Sequence, residues 1–169
     1  MATSIQPLRD EHKELLRHIE ELRIVADEVG EVSPEALRQS VDKVYEFLTH
    51  YLMPHAYAED QALYPLVGKV MGAVEATATM SRDHVEVSQL IEELASLRAR
   101  LAGTILRAAQ AKALRRVLYG LYTLVKVHFA KEEEVYLPLL EARLSPEEAH
   151  RMFEAMEEAA KEIESHPMP

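Results

Sequence analysis

Two stretches decide how this chain reads: HAYAEDQALYP at residues 55–65 and HFAKEEEVYLP at residues 128–138. Each opens on a histidine, sets a glutamate four residues later (Glu59, Glu132) and closes on a proline (Pro65, Pro138), so the second repeats the first at an offset of 73 residues. A second pair, HKELLRHIEEL from His12 and HVEVSQLIEEL from His84, repeats at an offset of 72. The chain therefore reads as two related helical hairpins. Each gives one histidine from its first helix and one His-x-x-x-Glu from its second. Residues four apart on an α-helix differ by about 40° and about 6 Å, so each histidine and its glutamate project from one face.

Apolar periodicity supplies the helices that carry these groups. Leu8, His12, Leu15, Ile19, Leu22, Ala26 and Val29 recur in steps of four and three, the stripe of an amphipathic helix that ends at Gly30. Ser33 and Pro34 open a second helix with the seam Leu37, Val41, Val44, Leu48, Tyr51 and His55, running to about Gly68. Pro54 withholds an N–H from the carbonyl of His50, which predicts a kink just before His55. A third helix carries Met80, His84, Val87, Ile91, Leu94 and Leu101 and stops at Gly103. The fourth reads Leu114, Val117, Leu121, Leu124, His128 and, past Glu132, Val135 and Leu139. Ser145 to Glu148 form a capping box for a fifth, about 146–164, whose Met152, Phe153, Met156 and Ile163 face the bundle. The fold class is all-α: an up-down-up-down four-helix bundle over about 5–143 plus a C-terminal helix, in a single domain spanning 1–169.

Composition narrows the chemistry. With no cysteine, thiolate catalysis, disulfides and sulfur-held metals are excluded, so any metal sits on nitrogen and oxygen. A net charge of −10 with scattered Lys and Arg disfavours nucleic acid. No apolar run spans a bilayer, and the opening residues lack a basic start followed by an apolar block, so the expectation is a cytoplasmic protein without membrane contact.

Of the 8 histidines, His12, His55, His84 and His128 fall on core seams, one per helix, while His18, His50, His150 and His166 do not. His12 stands about 17 residues before its helix ends and His55 about 20 after its helix begins, which at about 1.5 Å per residue sets them within a turn of each other. The second hairpin matches in the same way, so four imidazoles meet at one level. One buried histidine is ordinarily a hydrogen-bonded core residue, and one His-x-x-x-Glu is common by chance. Two buried carboxylates beside four imidazoles are different, because each unpaired buried charge costs several kcal/mol. Two metal ions remove that cost. Four imidazoles and two carboxylates are too many ligands for one tetrahedral zinc and too nitrogen-rich for calcium or magnesium, which favours two iron ions, with manganese or a mixed pair as alternatives.

These residues, His12, HAYAE at 55–59, His84 and HFAKE at 128–132, together with the downstream LYP and YLP, resemble the hemerythrin-like, or HHE cation-binding, domains over about residues 5–143. The resemblance implies a non-haem di-iron centre bridged by Glu59, Glu132 and an oxo or hydroxo group. His12 and His55 would serve one iron, His84 and His128 the other. The chain departs from the oxygen carriers of that family at two places. Ser88 stands where they have a fifth histidine, and their last bridging carboxylate lies five residues after its histidine, a place held here by Glu133. Two octahedral ions need about twelve positions and these groups fill about ten, leaving about two open, which points to a reactive site rather than a carrier.

Tyr51, four residues before His55, is the candidate for an added ligand or hydrogen bond at the site, against ordinary core packing; Tyr57, Tyr64 and Tyr136 read as packing, as do Met71, Met80, Met152 and Met156. The expected function is binding of, or reaction with, dioxygen, peroxide or nitric oxide, extending to catalase-like peroxide breakdown. The alternative is an iron or oxygen sensor that signals through metal-dependent stability of the bundle; a metal-free structural bundle is the third.

Overall fold

A computed structural model describes residues 5–102 and 105–165, and helix is the only regular structure among them. Five helical rods follow in order: α1 (Gln6–Glu28), α2 (34–71), α3 (Ala78–Ala99), α4 (108–143) and α5 (Pro146–Ser165). Their ends carry the expected signals. Ser33 Oγ accepts the Ala36 N–H at 3.2 Å with Pro34 at the first helical position. Gly72, at φ 69°, closes α2 in the left-handed conformation, so the helix ends at Met71, three residues beyond the expected end at Gly68. Ser145 and Glu148 exchange both bonds of the capping box at the start of α5. The stop assigned to Gly103 lies outside the described residues.

Neither α2 nor α4 is a uniform α-helix. Over Leu48–Leu52, Glu59–Leu63 and Glu132–Tyr136 the ladder widens, so that the N–H groups of Met53, Tyr64 and Leu137 bond to the carbonyls of Leu48, Glu59 and Glu132, five residues back. A proline follows each wide turn by two residues: Pro54, Pro65 and Pro138. A proline ring collides with the carbonyl four residues behind it and offers that carbonyl no N–H; widening the preceding turn moves the carbonyl aside. Just before His55, where a kink is expected, the structure has the widened turn Leu48–Leu52. Thr49 Oγ1 donates to the Tyr45 carbonyl at 2.9 Å beside the first wide turn.

One extra residue in a turn rotates everything after it by about 100° relative to an unbroken α-helix. Two expectations fail for that reason. Tyr51, placed on the buried seam by four-residue spacing, is 63% exposed, and Leu52 is buried in its stead. Val135 is exposed as well, while Leu137 and Leu140 enter the core. Met71, at the far end of α2, is likewise exposed rather than packed.

The rods α1, α2, α3 and α4 pack in a closed ring, each against its two neighbours, and α5 lies along residues 53–63 of α2. Two apolar clusters lie on either side of the histidine level. One joins Leu15 and Ile19 to Leu94, Leu121 and Phe129; the other joins Leu8, Leu63 and Met80 to Leu140, Met152 and Met156. Among the described residues no helix is long and apolar enough to cross a membrane. Leu121 is fully buried in the first cluster, so Leu121→Ala is expected to destabilise the chain by about 2–5 kcal/mol. Denaturant unfolding checks this, and a shift of the midpoint below about 1 kcal/mol would contradict the packing described.

Candidate metal centre

The structure brings all six sequence-assigned groups, His12, His55, Glu59, His84, His128 and Glu132, into one buried cage between the two clusters. Glu59 and Glu132 have no exposed surface. Glu59 Oε1 lies 3.0 Å from His55 Nε2 and 3.5 Å from His12 Nε2. Its other oxygen, Oε2, lies 3.3 Å from His84 Nε2 and 3.9 Å from His128 Nε2. Glu132 divides itself in the same manner, with Oε2 at 3.6 Å from His12 Nε2 and Oε1 at 3.5 Å from His128 Nε2. Each carboxylate thus presents one oxygen to each histidine pair.

The outward nitrogen of every histidine is also held. His12 Nδ1 donates to Glu133 at 2.8 Å, His55 Nδ1 to Glu11 at 3.0 Å, His84 Nδ1 to Asp60 at 2.9 Å and His128 Nδ1 to Asp83 at 3.0 Å. A carboxylate accepts and cannot donate, so each ring carries a proton on Nδ1 and faces Nε2 inward, where a metal would take the place of any second proton. Glu133 is therefore placed on His12, partly exposed, while Glu132 occupies the cage. The pattern follows the repeat: Glu11 and Asp83 immediately precede the histidines of α1 and α3, and Asp60 and Glu133 immediately follow the glutamates of α2 and α4. An acid at the same place in both copies was the signal for these four residues, and sequence reading passed over it.

Tyr64 was missed for a different reason. It reads as pointing away from the histidine face in an unbroken helix, yet it is buried in the cage. Its hydroxyl donates to Glu132 Oε1 at 2.6 Å and lies 3.0 Å from His128 Nε2 and 3.5 Å from His84 Nε2. In the wide turn Glu59–Leu63 one circuit takes five residues, so Tyr64 falls on the side of Glu59. Tyr136 does point away, donating to the Ala76 carbonyl at 3.2 Å. Phe129 stacks on His12, with centroids 4.5 Å apart, and meets His55 edge-on at 5.7 Å. Tyr51 stacks instead on Phe47 at the outer surface, so of its two expected places, at the site or in core packing, it takes neither.

Among the described residues the buried side-chain atoms without a hydrogen-bond partner include His12 Nε2, His55 Nε2, both oxygens of Glu59 and Glu132 Oε2. Orphaned atoms of this kind, all aimed at one another, are what a pair of cations would satisfy. Two groups have the reach for an ion each: His12, His55 and Glu59, and Glu59, His84 and His128. The residues present therefore fit a metal cation held by nitrogen and oxygen, with Glu59 common to both groups.

The charges of the cage are strongly interdependent. Burial by itself pushes His55 down, but Glu59 and Glu11 reverse this and hold it well above its ordinary value. His84 is raised in the same way by Asp60 and Glu59 against burial. Burial would raise Glu59, yet the surrounding imidazoles hold it well below the usual carboxylate range. Burial, Glu59 and Glu132 push the Tyr64 phenol far up, so it remains a proton donor. For His128, burial is again overcome, by Glu132 and Glu59, and the value rises from 6.5 to about 10. A raised histidine stabilises the fold fully below its unfolded value and ceases to do so as pH climbs through the folded one. Chelator-stripped protein is therefore expected to lose thermal stability between pH 6.5 and about 10. His128→Gln should flatten that decline, and a midpoint constant across the window would contradict the coupling.

A family model described as the Hemerythrin HHE cation binding domain matches residues 3–140. No curated protein and no solved structure matches the chain. The matched segment takes in the four histidines of the cage, both central glutamates, α1, α2 and α3, and all but the last three residues of α4. The chain belongs to the hemerythrin HHE cation-binding domain family.

Proposed function

We propose that the cage holds two iron ions and that the protein binds and transforms dioxygen, peroxide or nitric oxide, with peroxide breakdown as its leading activity. The observation that carries this reading is the division of Glu59 and Glu132, each with one oxygen towards each histidine pair, at a centre where His12 Nε2, His55 Nε2 and both Glu59 oxygens lack other partners. Four imidazoles and two carboxylates are more ligands than one tetrahedral zinc takes, which supports iron, with manganese or a mixed pair as the alternative metals. His12, His55, Glu59 and Glu132 would hold one ion, and His84, His128, Glu59 and Glu132 the other. Bound there, iron supplies reversible one-electron redox chemistry and Lewis-acid binding of small oxygen and nitrogen ligands.

The chain's own residues do the rest. The four outer carboxylates fix the imidazoles in the tautomer that binds metal. Phe129 and the apolar clusters keep bulk water from the centre. Tyr64 Oη is the one side-chain O–H that donates into the cage among the described hydrogen bonds, so it is the group that would hold a proton at the centre. Two peroxide molecules yield two waters and one dioxygen, a balance that needs no outside reductant. The net charge of −10 favours small uncharged molecules over nucleic acid as partners, and the cytoplasm is the setting we propose. The ring of packed rods accords with an up-down-up-down course in one domain.

A specific feature also supports a sensor. Asp60 of the first hairpin holds His84 of the second, and Glu133 of the second holds His12 of the first. Metal loss would therefore loosen the seam between the hairpins, and a partner could read that change.

Protein purified from iron-supplied cells is expected to hold close to two irons per chain by elemental analysis, and a value near zero overturns the di-iron reading. Oxygen evolution from peroxide should be abolished by Glu132→Ala; evolution that survives it removes the catalytic claim. Tyr64→Phe should keep its iron and slow turnover by about 10²–10⁴-fold, the range for losing a positioned proton donor. The sensor predicts little turnover in the parent chain and a large fall in melting temperature on chelation.

A further inference from the structure

The outer ring of the cage carries more negative charge than orientation requires. Fixing an imidazole tautomer needs only a hydrogen-bond acceptor, and a backbone carbonyl or a glutamine serves. Here all four acceptors are carboxylates: Glu11, Asp60, Asp83 and Glu133. Among the described residues two of them pair with a Lys or Arg. Arg9 pairs with Glu133 and is shared with Glu141, and Lys131 pairs with Asp83. Asp60 accepts instead from the Ser81 hydroxyl at 2.6 Å, and Glu11 has a side chain 52% exposed with His55 as its ion-pair partner. Six carboxylates, the outer four with Glu59 and Glu132, against two cations leave four negative charges around the centre. Two divalent ions neutralise these. Without the outer four and their two cations, the same ions would sit among only two negative charges, and each further positive charge on the metals would be the more costly.

We infer that the four outer carboxylates, with Arg9 and Lys131 as counterweights, set the reduction potential of the metal pair and hold it towards its oxidised state. This rests on the di-iron reading above. In this role the four acids are positioning residues with an electrostatic reach, acting through the histidines rather than on the ligand. A negative charge accepting from Nδ1–H raises electron donation at Nε2, and its field favours the more positive metal. The two flanking cations oppose both effects.

Two charge changes of opposite sign test the inference in the iron-loaded chain. Glu11→Gln keeps an acceptor for His55 and removes a negative charge, whereas Lys131→Gln removes a counterweight and leaves Asp83 in place. Spectroelectrochemical titration should give a midpoint raised in Glu11→Gln and lowered in Lys131→Gln. In each case the shift expected is at least a tenfold change in the oxidised-to-reduced ratio at fixed poise, about 59 mV for a one-electron couple. Midpoints that both stay at the parent value, or that move in the same direction, overturn the inference. Iron content measured alongside separates the two claims: unmoved potentials with two irons per chain leave the di-iron reading standing, while a parent chain that takes up no iron removes both. If Glu11→Gln releases its metal, Lys131→Gln decides alone, because a purely structural role gives it no reason to shift downward.

Discussion

Two carboxylates with no exposed surface sit at the middle of this molecule, and every neighbouring feature answers their charge. An isolated buried carboxylate costs several kcal/mol, so Glu59 and Glu132 demand positive or donating partners from all sides. The four histidines supply the first answer. Their outward nitrogens need acceptors in turn, which Glu11, Asp60, Asp83 and Glu133 provide, and these are met by Arg9, Lys131, Ser81 or water. The sign of charge alternates from the axis of the bundle to its surface. The helix ring then has one task, which is to deliver each layer to the same height.

Much of this was legible in the sequence because it depends on period and repetition. Leu8, Ile19, Leu22, Val41, Val44, Leu94 and Leu121 are buried where the 3.6-residue stripe puts them, and the histidine of each rod faces inward as its seam requires. The level of the four histidines followed from counting residues to the hairpin turns. Tyr51, Tyr64 and Val135 went astray together, and for a common cause. All three lie in, or just past, a turn widened ahead of a proline, and a stripe drawn through such a turn is out of phase beyond it. Pro54 was visible as a helix disturbance and Pro65 and Pro138 as marks of the repeat, but none of them as an insertion of angle. Their positions account for why Tyr64 reaches the cage and Tyr51 does not. The outer acids were overlooked because an acid on a helix is usually solvated, and only their recurrence beside the site residues in both copies sets them apart.

The two halves are not equivalent in detail, and the differences fall at the cage. Applying the repeat offset pairs Tyr64 with Leu137 and Phe129 with Ala56. The His84 and His128 pair therefore has a phenol beside it, while the His12 and His55 pair is backed by a phenyl ring. Among the described residues a side-chain hydroxyl donates into the cage on one side only.

The exchange of Asp60 and Glu133 across the hairpins has a further meaning. Each hairpin lends an acid to the other at the corresponding place, which is the self-complementary contact that two copies of one chain make about a twofold axis. A single hairpin paired with its twin would rebuild the same cage, but with both halves obliged to be identical. Joining them in one polypeptide lifts that obligation, and the lone phenol is a feature no symmetric dimer of this kind could own.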